Sequence, residues 1–178
     1  MNAIERVQTL SKRLRVIFTV VLVLIPVIQI LFWVFFNQLP KDMIPNDLPV
    51  AVQQNLPLSA RLTALAASFI TSGVAMACVY FLIRLFSLYE KAEIFTEGSV
   101  KCLRSLGRLI LWLFAAGIVQ QPLMSMALTL HNPPGQRIIR LGLSSDDIKI
   151  LLIGIVVVLI AWVMDEGRVL YEEQQLTV

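Results

Sequence analysis

Four long apolar runs, separated by shorter polar segments, dominate the pattern of this chain. The runs cover residues 16–36, 62–86, 109–130 and 148–164, and the few charges that they contain lie near their ends. A helix needs about 20 residues to cross the hydrocarbon core of a bilayer. The pattern therefore predicts an all-α fold, a four-helix transmembrane bundle that forms a single integral membrane domain over residues 1–178.

The first 15 residues have a helical pattern of their own. Ile4, Val7, Leu10 and Leu14 recur at helical spacing, while basic residues take the other faces. Two interpretations fit this pattern: a cytoplasmic amphipathic helix that lies along the membrane surface, or an extension of the first span that keeps its charges in water. The apolar run that follows is too long for a signal peptide, so we expect a retained anchor.

The composition agrees with a membrane protein. Hydrophobic residues make up 57% of the chain and charged residues 15%, with a mean hydropathy of +0.78. Soluble domains contain about 45–50% apolar and about 25% charged residues. The net charge of +3 is modest, and the basic residues border the apolar runs instead of sharing one face. We therefore expect contact with the lipid bilayer and no direct binding of nucleic acid.

The distribution of basic residues predicts the orientation. Ten of the 15 lysines and arginines lie before the first run, near the end of run two, between runs two and three, or after run four, and the other five lie in or beside the remaining two loops. Lysine and arginine near span ends mark the cytoplasmic side. Both termini are therefore predicted to be cytoplasmic, and the other two loops are predicted to form a small extracytoplasmic cap.

Local signals predict where the helices begin. Thr96 is expected to cap the helix that leads into span three, with Glu97 favourable in its first turn. Ser59 is expected to cap span two. Ser144 stands three residues before Asp147, a capping-box arrangement at the start of span four.

The two loops on the predicted outer side differ in character. The first contains four prolines, which leave room for at most a short helix near residues 50–55. The second begins with a turn signal, and an extended conformation is one option for residues 137–143.

Small residues line one face of span two. Ala60, Ala64, Ser68 and Ser72 follow one another at steps of four, so they share a face of the helix. Small residues let helix backbones approach closely in lipid. We expect a packing seam inside the monomer, and a dimer interface is the alternative.

Polar residues inside spans one and three offer a second feature. Gln29 follows Pro26 by three residues, and Gln120 and Gln121 directly precede Pro122. One interpretation is that the amides serve only the carbonyls that the prolines free at a kink. The functional alternative is a polar site or ligand pocket formed by the three glutamines between spans one and three.

Nothing in the chain predicts catalysis. It lacks the common hydrolase, metalloprotease and nucleotide-binding motifs. One histidine and two separated cysteines do not suggest a metal or cofactor site. We expect no enzymatic activity and no cofactor. A redox sensor at Cys102 is a further option, and it would need a lowered thiol pKa.

The stretch "EIFTEGSVKCLRSLGR" resembles the loop between spans two and three in a widespread family of bacterial four-span inner-membrane proteins whose domain has no known function. The resemblance rests on Phe95 and Thr96, followed by Leu103, Arg104 and Gly107. Ala92 and Glu93 stand where that family often has glycine before the Phe-Thr pair, so a tight turn at this point is in doubt.

A second part of the resemblance lies at the C-terminus. Gly167 follows span four, and a helix then leads through Glu173 to Leu176 and Thr177. The resemblance implies the bacterial inner membrane as the location, and a cytoplasmic regulator of helix-turn-helix type as a partner.

Two functions are consistent with these features. The first is a non-enzymatic regulatory or scaffold protein that acts through its cytoplasmic loop and C-terminal tail. The second is a small transporter, channel or lipid-binding subunit that uses the polar region between spans one and three. For Phe95 we expect a plug beneath spans two and four, and the alternative is contact with a partner. A homo-oligomer is compatible with either function.

Overall fold

The computed structural model describes residues 3–40, 56–133 and 137–176. Four long helices make up the fold: α1 (Ala3–Phe35), α2 (Leu58–Glu90), α3 (Glu97–Thr129) and α4 (Ser145–Leu176). A short 3-10 helix, Phe36–Gln38, follows α1. The described residues contain no strand. The all-α prediction is confirmed, and all four helices are long and apolar enough to cross a membrane.

The helices pack in a row that follows the order of the chain. α1 packs on α2, α2 on α3, and α3 on α4. Within the described residues, α1 and α4 share no extensive contact. We call the end of the bundle with the start of α1, the α2–α3 connection and the end of α4 the terminal end. The opposite end is the distal end.

α1 resolves the two interpretations of the N-terminal segment. It is one uninterrupted helix from Ala3 to Phe35, so the amphipathic residues extend the first span. This extension packs on its neighbour: Ser11 is buried, and Arg15 Nη1 lies 2.9 Å from Glu90 Oε2 at the end of α2.

An aromatic core at the distal end joins α1 to the small-residue face of α2. Trp33 and Phe36 are buried and stack with ring centroids 5.3 Å apart. The Trp33 indole donates a hydrogen bond of 3.0 Å to Ser68 Oγ. Ala60 and Ala64 are fully buried against this core. The predicted packing seam inside the monomer is therefore present.

Glycines bring α3 and α4 close together. A Cβ atom built on Gly107 would lie 2.7 Å from Val158 Cγ2 and 3.0 Å from the Val158 backbone nitrogen. A Cβ atom built on Gly154 would lie 2.7 Å from Leu111 Cδ2. These distances are shorter than ordinary van der Waals contact, so the two helices can approach this closely only because both positions lack a side chain.

Residues 137–144, which we call the extended segment, return along α3 before α4 begins. The Ile138 amide donates to Thr129 Oγ1 at 3.3 Å, and the Arg140 amide donates to Ser125 Oγ at 3.0 Å. Between these two contacts the segment advances by two residues and α3 by four. Two extended residues span about 6.6 Å and four helical residues about 6.0 Å. The segment is therefore extended and antiparallel to α3.

Two predicted helix starts have different outcomes. The capping box is confirmed, because the Ser144 amide donates to Asp147 Oδ2 at 2.7 Å and the Asp147 amide to Ser144 Oγ at 3.2 Å. The prediction for Ser59 is wrong. Pro57 is the N-cap of α2, and the Ser59 hydroxyl lies 2.9 Å from His131 Nε2 instead.

The predicted short helix near residues 50–55 lies outside the described residues. So do most of the first loop and residues 134–136 of the second, so the predicted cap of loops stays a prediction.

Candidate functional site

The connection between α2 and α3 at the terminal end is a tight turn. The Glu93 amide donates to the Leu88 carbonyl and the Ala92 amide to the Tyr89 carbonyl, both at 3.1 Å. This pair of bonds is the Schellman motif that ends many helices. It requires a left-handed residue, and Ala92 supplies it with φ of 62°. The turn therefore forms although alanine stands where glycine is favoured.

Thr96 fixes the other side of the connection, and its predicted capping role is confirmed. Thr96 has extended backbone angles, and its Oγ1 accepts the Ser99 amide at 3.4 Å. The Ser99 hydroxyl is fully buried and donates to the Glu93 carbonyl at 2.6 Å. Side-chain and backbone bonds thus restrain the connection from both helices.

Phe95 lies on the surface of this restrained connection. Its side chain is 54% exposed, so the expected plug beneath spans two and four is wrong. The inward positions at the start of α3 are taken by Ser99, Val100 and Cys102, all of which are buried. Because Phe95 precedes the cap, it does not share the buried face of the helix.

The Leu103–Gly107 motif joins α3 to α4. Arg104 Nη2 lies 2.6 Å from Asp165 Oδ2, and Arg168 Nη2 lies 3.3 Å from Asp165 Oδ1. Gly107, one turn further along the same face, meets Val158. Asp165 lies outside the predicted spans, and the hydrogen bond from Arg104 is the main cause that lowers the pKa of its carboxyl. Leu103 is half-buried beside this junction.

The residues that carry the C-terminal part of the resemblance are less closely packed. A Cβ atom on Gly167 would meet nothing within 4 Å, so no neighbour requires glycine there. Glu173 is exposed. Leu176 is the last residue of α4, and Thr177 lies outside the described residues.

Cys102 lies in a poor environment for a reactive thiol. Its side chain is 3% exposed, and burial raises its pKa although Arg84 opposes the shift. A buried thiol with a raised pKa is a weak nucleophile, so this environment is the opposite of what the redox-sensor option needs. The described residues contain no group of three or more side chains placed to hold a metal ion.

The glutamines of the predicted polar pocket lie on helices that flank α2. Gln29 is on α1, whereas Gln120 and Gln121 are on α3. All three are half-buried, and no hydrogen bond joins Gln29 to either of the others in the described chain. Gln121 approaches the extended segment, with its Oε1 3.5 Å from a Cβ atom built on Gly142.

A groove of about 360 Å³ lies between α2 and α3 in the distal half of the bundle. Apart from one threonine hydroxyl, its lining is apolar, and none of the three glutamines contributes to it. The lining consists of Thr63, Ala66, Ala67, Ile70, Leu123, Met126, Ala127 and Leu130.

Comparison with known families places this chain. The family described as "Protein of unknown function (DUF2975)" matches residues 38–178. The chain belongs to this family. The match covers α2, α3, α4 and their connections, and α1 precedes it. No curated protein and no solved structure matches the chain. The resemblance to a family without known function is therefore confirmed, and four apolar helices mark this member as a multi-pass membrane protein.

One feature of this DUF2975 member escaped the sequence reasoning. Gly117, Gln121, Ser125 and Thr129 are spaced by four residues, so they form one stripe on α3. We call it the polar stripe. It faces the extended segment from Gln121 to Thr129, whereas Gly117 faces Asp147 at the start of α4. The same periodicity identified the small-residue face of α2 and would have found this stripe too.

Ala92 provides a test of the turn in this family member. Alanine in the left-handed region costs about 1 kcal/mol relative to glycine. We expect Ala92→Gly to raise the free energy of unfolding by about that amount, measured by thermal unfolding in detergent. Lys91→Gly is the matched control, because Lys91 has φ of −87° and gains nothing from glycine. Equal effects of both substitutions would show that Ala92 is not strained.

Proposed function

We propose that this protein is a non-enzymatic, multi-pass protein of the bacterial cytoplasmic membrane that regulates or anchors a cytoplasmic partner at its terminal end. The proposal places both termini in the cytoplasm. The partner is a regulator of helix-turn-helix type. The observation that carries the proposal is the exposed Phe95 on a connection that is restrained from both sides.

The restraints on the connection favour binding. An aromatic residue whose backbone is already held in place loses less conformational entropy when a partner covers it. Buried aromatic anchors dominate the binding energy of many interfaces. The capping bonds of Thr96 and the turn at Ala92 keep the backbone of Phe95 in one position, and Arg104 and Gly107 hold α3 against α4.

Photocrosslinking in native membranes tests this proposal. Lys91 is exposed and directly follows the last residue of α2. A photoreactive residue in its place should capture a protein partner. Phe95→Ala should reduce that adduct at least tenfold, because loss of about 1.4 kcal/mol or more of binding energy changes an equilibrium tenfold. Phe35→Ala is the control, since Phe35 is 47% exposed near the other end of the bundle.

The alternative role for Phe95 is insertion into the headgroup region of the bilayer, where aromatic rings are common. Crosslinks from position 91 that reach only lipid, or a protein adduct that is unchanged in Phe95→Ala, would contradict the proposed function.

The groove between α2 and α3 supports a second candidate, a lipid-binding subunit. Its volume and apolar lining suit part of an acyl chain. Here the lipid would lie between spans two and three rather than one and three. Mass spectrometry of the protein purified from native membranes decides this point: one retained lipid, lost when Ala66→Phe fills the groove, favours it, and absence of retained lipid counts against it.

A further inference from the structure

The groove between α2 and α3 ends at a polar bridge. Thr63 and Leu130 line the groove on its distal side. Ser59 lies one helical turn before Thr63, and His131 directly follows Leu130. The Ser59 hydroxyl and His131 Nε2 are 2.9 Å apart, and both residues are exposed. The apolar groove therefore ends beside a hydroxyl and an imidazole that a ligand can reach.

This bridge has a hydrogen-bond donor to spare. If the Ser59 hydroxyl donates to His131 Nε2, the neutral ring carries its proton on Nδ1. If Nε2 donates instead, the hydroxyl proton stays available. In the described structure neither side chain has another hydrogen-bond partner. In either arrangement, at least one N–H or O–H group is therefore available to an acceptor at the end of the groove.

Arg137 brings a positive charge to the same place. Its Nε donates to the carbonyl of Asn132 at 3.5 Å, and Asn132 is the neighbour of His131. Arg137 is exposed and forms no ion pair in the described part of the chain. The other N–H groups of its guanidinium can bond two oxygens of one phosphate. The distal side of the groove thus combines donors and charge that suit a phosphate.

Carboxylates are absent from this side of the groove. Residues 56–63 and 126–133 contain no acidic residue. The acids at the start of α4 are engaged, since Asp146 Oδ1 lies 2.7 Å from Lys149 Nζ and Asp147 Oδ2 accepts the Ser144 amide. A headgroup with an ammonium group would need a carboxylate partner. A headgroup with a net negative charge therefore fits better.

The groove itself suits hydrocarbon. Its volume is about 360 Å³. From Thr63 to Ile70 it follows α2 for about 10 Å, a third of the thickness of a bilayer core. The Thr63 hydroxyl donates to backbone carbonyls of its own helix, so the lining offers no free donor. The groove can therefore hold part of one acyl chain but no polar group.

We propose that this groove binds an anionic phospholipid, with part of an acyl chain between α2 and α3 and the phosphate at Ser59, His131 and Arg137. The predicted second span begins at residue 62 and the predicted third span ends at residue 130. The acyl site thus lies inside the spans and the phosphate site just outside them, in the order in which a lipid presents these parts. The inference rests on the second candidate function, lipid binding, and is independent of the partner at the terminal end.

Native mass spectrometry of the delipidated protein tests the headgroup assignment. Phosphatidylglycerol and phosphatidylethanolamine with identical acyl chains are titrated separately. The first phosphatidylglycerol should bind about fivefold more tightly, the effect of about one basic residue on an anionic lipid. Arg137→Gln should lower the affinity for phosphatidylglycerol about fivefold or more and remove the preference, because it replaces a charged donor by a neutral one.

Two further variants and a control locate the lipid. Ala66→Phe fills the groove and should abolish this site for both lipids. His131→Phe keeps a ring but removes its donor, so it should weaken both lipids to a similar extent. Arg13→Gln makes the same substitution as Arg137→Gln at an exposed arginine near the terminal end and should change neither affinity. Thermal unfolding of each variant checks that the fold is intact.

Three results would overturn the inference. Equal affinity for both lipids that Arg137→Gln does not change refutes the phosphate site and leaves the acyl groove as the second candidate function has it. A loss in Arg13→Gln as large as in Arg137→Gln places the headgroup elsewhere on the protein. Absence of any retained lipid on the wild-type chain refutes both this inference and the second candidate function.

Discussion

Replacing Gly107 with alanine is expected to lower the free energy of unfolding by about 3 kcal/mol, the upper part of the range for overpacking a core. The added methyl group would lie 2.7 Å from Val158 Cγ2 and 3.0 Å from the Val158 backbone nitrogen. A side chain can rotate away, but the backbone of α4 cannot move without separating the two helices. Unfolding in detergent, followed by circular dichroism, measures the loss.

Gly167→Ala is the matched control for Gly107→Ala. It makes the same substitution in a neighbouring helix where nothing lies within 4 Å. We expect it to be neutral or stabilising by up to about 1 kcal/mol, because alanine favours helix. Loss of stability in both variants would mean that a general effect of the substitution, and not close packing at Gly107, explains the result.

Rescue experiments separate side-chain clashes from backbone clashes. At Gly154 the added methyl group meets the Leu111 side chain, so Leu111→Ala should restore most of the stability of Gly154→Ala. At Gly107, Val158→Ala should restore little, since the backbone nitrogen remains at 3.0 Å. Full rescue at both positions would contradict the close backbone approach.

Trp33→Ala is expected to be the most destabilising substitution in the distal core, with a loss of about 3–5 kcal/mol. Trp33 is 3% exposed, stacks on Phe36 and donates to Ser68, so truncation leaves a cavity and breaks a hydrogen bond. The same unfolding measurement applies. Trp162→Ala is the control, because Trp162 is 64% exposed and lipid or detergent replaces its contacts.

A double-mutant cycle isolates the hydrogen bond from the packing. Trp33→Phe and Ser68→Ala each remove the bond and keep most of the volume. Their coupling energy should be about 0.6–1 kcal/mol, the usual size for such bonds between membrane helices. A small effect of Trp33→Ala itself, comparable with Trp162→Ala, would show that the distal core does not hold α1 in place.

The features that the sequence predicted well are local. Apolar length identifies a span without knowledge of its neighbours, and Thr96 and the Ser144–Asp147 box bond only within their own helix starts. The prediction for Ser59 is wrong because the contact that its side chain makes is not local. Its hydroxyl serves a contact with His131, which is far away in the chain, and Pro57 begins the helix in its place.

The features that the sequence did not predict depend on which elements become neighbours. The exposure of Phe95 could not be deduced from its residue type, because exposure depends on whether the chain before the cap turns the side chain inward or outward. The functional alternative placed the three glutamines in one pocket, yet the pattern of a span does not tell which helices will face each other. The polar stripe was visible as a period of four residues, but its partner is a non-helical segment that apolar patterns do not identify.

The row order of the helices has a consequence for synthesis in the membrane. Each helix packs on the helix that precedes it, and α1 and α4 share no extensive contact in the described chain. Contacts between near neighbours in sequence form quickly, and chains fold from the N-terminus as they are made. As each span leaves the ribosome, its packing partner is already in the bilayer, so the nascent chain can assemble one helix at a time.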